Sequence, residues 1–191
     1  MSKGRLEAFS DGVVAILITI MVLDLKVPHG VSLTDLLPLG PIFFSYVLSF
    51  ALLGTYWNNH HHLVQVATVI DGRVLLANLH LLFWLSLIPF ATAWMGETGF
   101  APVPTAIYGA IMLAAAIAFY ILVRALIACP GQAPRLATAI GRDRKGKISP
   151  VLFVAGILIA LVSPLGAFAL YTFVVLLWFI PDRRIERALA G

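Results

Sequence analysis

Apolar runs separated by short polar or Pro-Gly punctuation fill most of the chain, and they predict helices that cross a membrane. The first run extends from about Ala8 to Val27 and stops at Pro28-His29-Gly30. The second starts near Pro41, passes through "FFSYVLSFALLGTYW" and ends near His62. A turn at Asp71-Gly72-Arg73 leads into the third, from about Val74 to Met95, which holds "LLFWLSLIPFATAW". Pro102 and Pro104 open the fourth, which reaches about Arg124. After the basic stretch Arg135–Lys147 come a fifth run, Ile148–Val162, and a sixth, Leu165–Ile180, parted by Ser163-Pro164. A spanning helix needs about 20 apolar residues. The last two are short, and either short upright helices or one bent hairpin fits them. The expected fold is an all-α integral membrane protein of six spans, forming one domain over residues 1–191.

Composition strengthens this assignment. Hydrophobic residues make up 61% of the chain and charged ones 12%, with a mean hydropathy of +0.98. Soluble domains carry about 25% charged residues, so most of this surface has to meet lipid. The basic pI near 9.5 does not imply nucleic acid, because Lys and Arg sit in short runs between apolar segments. Those runs also set orientation. An inside N-terminus places Lys3, Arg5, Arg73, Arg124, Arg135, Arg142, Arg144, Lys145, Lys147, Arg183, Arg184 and Arg187 in the cytoplasm. Of the 13 basic residues only Lys26 is then outside. Both termini inside require an even number of spans, in favour of six. The first run is too long for a secretory signal and lacks a small-residue cleavage site. The single Cys129 precludes an intrachain disulfide.

Within this frame the polar residues converge. Arg5 to Asp11 lie at the inner end of the first span. Trp57, Asn58, Asn59 and the run His60-His61-His62 reach that end on the second, and Asn78 and His80 lie one to two turns into the third. A carboxylate in lipid costs about 2.5–3.5 kcal/mol on insertion scales, so Asp11 calls for partners: Ser10, Arg5 or an imidazole. Favourable placement at a helix N-terminus is the simpler alternative. Tyr56 and Trp57 also fit an interfacial aromatic belt. Adjacent histidines point in different directions on a helix, so no metal centre is expected.

On the first span Ile16, Ile20 and Leu23 follow i, i+4, i+7 spacing and form one stripe, with Thr19 beside it. Such a stripe packs against a neighbour, meets lipid, or lines a pore whose apolar constriction gates by dewetting. Periodicity does not choose among these.

Three stretches resemble landmarks of the transmembrane protein 175 family, the endolysosomal potassium channels and their bacterial relatives. They are Arg5-x-x-x-Phe9-Ser10-Asp11, "YWNNHHHL" with Trp57, His60 and His61, and Ser86 to Phe90. The resemblance implies four six-helix chains around one pore lined by their first helices. Ile16 would form the first constriction, with Ile20 and Leu23 as the next layers and Thr19 as a pore-associated hydroxyl. Arg5, Ser10, Asp11, Trp57 and His60 or His61 would form the polar network that holds this helix, with Phe9 in the motif itself. Gly12 departs from the pattern, which leads one to expect a small residue such as Ala there, and His62 acquires no role. The implied protein is a homotetramer in the bacterial inner membrane. It would pass monovalent cations, K⁺ modestly over Na⁺, without a cofactor.

The chain has no TVGYG-like filter and no arginine-every-third-position helix to sense voltage. Enzyme activity is not expected, since no Gly-rich phosphate loop or nucleophile motif accompanies the buried Asp and His. Haem carriage through His61 or His80 is a minor alternative. A proton-coupled transporter using Asp11 and the His60–His62 cluster is the main rival, although inverted repeats and broken central helices are not evident.

Overall fold

The computed structural model describes residues 2–130 and 144–179, with backbone alone for Arg144, and these residues are helical throughout, with turns between. Arg135, Arg142, Arg183, Arg184 and Arg187, part of the expected inner charge, lie outside the described residues.

Helix α1 (Lys3–Leu23) begins and ends earlier than the predicted Ala8–Val27. Its first turn forms on the Ser2 carbonyl, which accepts from Arg5 and Leu6 N–H. A 3₁₀ helix, Leu33–Leu39, was not foreseen. Ser32 and Asp35 close a reciprocal cap at its start, the Ser32 N–H donating to Asp35 Oδ2 at 2.9 Å.

Helix α2 (Gly40–Val66) starts with Pro41 in its first turn, where a missing N–H costs nothing, and runs past the predicted His62. Asp71 caps α3 (Gly72–Ser86), accepting from the Arg73 and Val74 N–H groups at 2.9 and 3.0 Å. The predicted third span breaks at Leu87 and resumes as α4 (Ile88–Glu97). Pro89 explains the break, because it cannot donate to the preceding turn and its ring crowds the carbonyl there.

Helix α5 (Pro102–Ile127) follows a tight turn in which Gly99 and Phe100 are left-handed, φ 60° and 62°. Phe100 is held in that disfavoured state by its N–H bond to the Met95 carbonyl and by its ring against Phe168. Helices α6 (Arg144–Ala160) and α7 (Pro164–Phe179) form an antiparallel pair. Helix α1, the stretch Leu33–Val66, α3 with α4, and α5 are each long and apolar enough to cross a membrane, whereas α7 is a shorter apolar helix of 16 residues.

Close packing depends on glycine at three points. A side chain on Gly109 or Gly156 would run into the buried Tyr171 ring, and one on Gly96 would meet the Ile42 backbone. A hydroxyl relay ties α5 to α2 and α4. Tyr108 donates to Ser49 at 2.9 Å, Ser49 to Thr92 at 2.6 Å, and Thr92 to the Ile88 carbonyl at 2.7 Å. The first two directions follow from the last, because the Thr92 proton is already used.

One end of the bundle collects the described basic residues except Lys26. Lys3 bonds the Gln65 carbonyl near the end of α2, Asp71 interacts with Cys129 just past α5, and Trp178 of α7 donates to Ser149 near the start of α6. Lys26 pairs with Glu97 at the opposite end.

Candidate functional site

Helix α1 has two distinct faces. Leu6, Ser10, Val14, Leu17 and Met21 are buried against the bundle. Phe9, Ile16, Ile20 and Leu23 point away, with Ile16 57% and Leu23 79% exposed. Thr19 is also on the outward side, its hydroxyl donating back to the Ala15 and Ile16 carbonyls, so it adds no bond to another helix.

The inward side is fastened polar group by polar group. Three contacts between antiparallel α1 and α2 recur once per helical turn. Lys3 Nζ reaches the Gln65 carbonyl at 2.6 Å, Glu7 pairs with His61 Nδ1 at 2.8 Å, and Asp11 accepts from Trp57 Nε1 at 3.0 Å. Each rung is four residues further along α1 and four back along α2, the spacing at which side chains share a helix face. Trp57 and His61 stack with an interplanar angle of 20°, which stiffens the α2 side. His61 Nε2 accepts from the Gln65 amide at 2.8 Å. Its Nδ1 then carries the proton that goes to Glu7, an assignment made from the partners.

A second strand of bonds passes through α3. His60 Nε2 donates to Asn78 Oδ1 at 2.8 Å, Asn78 Nδ2 donates to Ser10 Oγ at 2.9 Å, and Ser10 Oγ donates to the Leu6 carbonyl at 2.9 Å. All three side chains are at most 4% exposed, and in hydrocarbon each would be costly without its partner. A small cavity lined by Ser10, Asp11, Tyr56, Trp57 and His60 lies beside them.

Ser10, Asp11, Trp57, His60 and His61 are thus brought together. Arg5 and Phe9 are exposed, and the Arg5 guanidinium makes no hydrogen bond or ion pair with the described residues of the same chain. Asn78 and Glu7 are members for which the sequence supplied no role, although Glu7 stands one turn before Asp11 on the same face. His80 accepts from Trp84 Nε1 instead, and the buried Nδ1 of His62 has no hydrogen-bond partner. Asp11 shares no hydrogen bond with a histidine among the described residues, and none of them form a metal-binding cluster.

Comparison with known proteins agrees with the landmarks. Residues 5–89 match the family model described as "Endosomal/lysosomal potassium channel TMEM175". A potassium channel of Chryseobacterium sp. (strain P1-3) is 51% identical over 189 residues, covering 99% of this chain and 98% of its own. The chain belongs to the TMEM175 family. This is a membrane channel family, not an enzyme family. The crystal structure of a lysosomal potassium-selective TMEM175 homolog from Chamaesiphon minutus superposes with a TM-score of 0.80 at 28% identity, over 93% of this chain and 96% of that one. The human endosomal/lysosomal proton channel TMEM175 is 38% identical over 96 residues, covering 44% of this chain and 19% of its own. The bonded residues from Glu7 to Asn78 fall inside the matched TMEM175 segment, and Lys3 lies just before it.

Proposed function

We propose that the chain is a potassium-permeable cation channel of the bacterial cell membrane. Four copies surround one pore, each with six spans, α3 and α4 together forming the third. The whole chain makes one channel domain, with both termini cytoplasmic. Helix α1 lines the conduit, with Ile16, Ile20 and Leu23 toward the ion and Thr19 beside them.

The observation that carries this is the division of α1 into a fastened side and an unpartnered side. The first is held by Ser10, Asp11, Trp57, His60 and His61. The second leaves Ile16, Ile20 and Leu23 exposed in a single chain, the positions that family resemblance assigns to the pore. The potassium channel from Chryseobacterium adds the ion. With aliphatic side chains at the narrowest level, the barrier is set by how much of its hydration shell an ion must shed and by whether water fills the constriction. K⁺ releases water more readily than Na⁺, so K⁺ is favoured modestly. Arg5 and Phe9 face away from their own subunit and are placed to meet a neighbouring copy.

The deciding experiment is reconstitution in a planar bilayer with K⁺ on one side and Na⁺ on the other. Passive single-channel currents reversing toward the K⁺ potential are expected. Flux that requires a proton gradient and gives no unitary currents would establish the coupled carrier instead.

A further inference from the structure

Away from α1, helices α2, α5, α6 and α7 border a cleft of about 640 Å³, a figure that includes space open to the surroundings. Its wall is largely aliphatic and aromatic, including Leu52, Phe119, Val123, Phe153 and Val175, and among the described residues no Asp or Glu lines it. Its polar lining is graded toward the basic end of the bundle. Asn59 donates its amide to the Thr55 carbonyl at 2.7 Å. Ser149 bonds the Lys145 carbonyl at 2.8 Å and accepts from Trp178 at 2.9 Å.

Beyond these groups come the cations. Arg124 follows Val123 and stands one turn from Tyr120, both of which line the space, and its side chain is exposed. Lys145 adjoins Gly146, which also lines it, and Lys147 is exposed on the same first turn of α6.

An apolar shaft at hydrocarbon depth, closed by hydrogen-bonding groups and rimmed by positive charge, has the polarity profile of an anionic lipid. We propose that this space holds an anionic glycerophospholipid of the cytoplasmic leaflet, one acyl chain between α2, α5 and α7 and the phosphate at Arg124, Lys145 and Lys147. The assignment of the leaflet rests on the orientation proposed above; lipid binding itself requires no ion conduction. A basic pocket between spans near the inner surface is the expected setting for such a headgroup. The lysine stems can follow the apolar wall while their ammonium groups reach the interface. Tyr56 lines both this space and the small cavity beside the α1 clamp, so a seated acyl chain would brace the helix that carries Trp57 and His60.

The test is native mass spectrometry of the full-length protein released from nanodiscs of phosphatidylcholine with and without phosphatidylglycerol. Retained phosphatidylglycerol is expected, with little phosphatidylcholine, and a higher melting temperature in the anionic discs. Val123→Trp, which fills the shaft, should abolish retention, with Ala116→Phe as the substitute should that variant fail to fold. Arg124→Gln should leave the shaft intact and lower the anionic preference about five-fold. Equal retention of the two lipids, or retention undiminished by either filling variant, would overturn the site. So would a disulfide formed between neighbouring copies carrying Val123→Cys, which would mean that another subunit covers it. Since no current is measured, a negative result here leaves the channel assignment standing, and a silent bilayer leaves the lipid site standing.

Discussion

The indole N–H of Trp57 meets the Asp11 carboxylate at 3.0 Å, joining the second helix to the one carboxylate in the Phe-Ser-Asp triplet. In Trp57→Phe the ring can still stack on His61, but Asp11 loses its donor. An unpaired polar group away from water costs about 1–3 kcal/mol. The expected result is a lower melting temperature and reduced recovery of the assembled species on gel filtration. A variant with wild-type melting and assembly would remove the clamp role from this bond.

Asn78 is held between His60 and Ser10, both buried. Asn78→Leu leaves His60 without its partner and takes one of the two bonds of Ser10, whose bond to the Leu6 carbonyl remains, and should destabilise by about 1–3 kcal/mol. Replacing Ser10 as well should cost less than the sum of the single changes, because the two share one chain of bonds. Additive losses in thermal unfolding would show that the chain of bonds is not cooperative.

Ile16→Asn places an amide at the proposed first constriction. Unitary conductance should rise and discrimination between K⁺ and Na⁺ should fall, since water and ions of either kind then wet the narrow level. Recordings indistinguishable from wild type would move the constriction elsewhere on α1.

Gly109→Val and Gly156→Val each set a branched side chain against Tyr171. Overpacking of this kind costs about 1–3 kcal/mol. Both should lower the yield of monodisperse protein, and Tyr171→Ala should partly restore it by opening the space. Restoration by neither double variant would mean the glycines serve another purpose.

Asp71 caps α3 outside the spans. Its carboxyl is held below the usual aspartate range, first by the Val74 N–H and also by the Arg73 N–H and the neighbouring Cys129. A lowered value in the folded state means that the stabilisation is complete above the ordinary aspartate range near 4. It is lost as pH falls through the lower folded value. Asp71→Asn should flatten the acid limb of a melting-temperature profile, and an unchanged limb would exclude Asp71 as its source.

Much of this was legible in the sequence because lipid imposes strong rules. Long apolar runs located the helices, and the cost of burying Asp11 pointed to partners on the second span. The choice among partners was not legible. Whether Asp11 meets Trp57 or a histidine depends on the rotation of α2 about its axis, to which a period of 3.6 residues is blind. Asn78 and Glu7 were hidden for the same reason, since any inward polar residue could fill either place. Pro89 was visible within a run apolar enough to be taken as one span, yet the α3–α4 break needed the geometry at Leu87. The Tyr108–Ser49–Thr92 relay links positions 59 and 43 residues apart with no local pattern to announce it.

The once-per-turn repeat of Lys3, Glu7 and Asp11 against Gln65, His61 and Trp57 limits how α1 can move. A slip by a single residue would turn every one of these groups out of register together. A slip by a whole turn, about 5.4 Å along the axis, would bring Asp11 opposite His61 and Glu7 opposite Gln65, again acid facing donor. The seam therefore resists small sliding while leaving a second, similar resting position one pitch away.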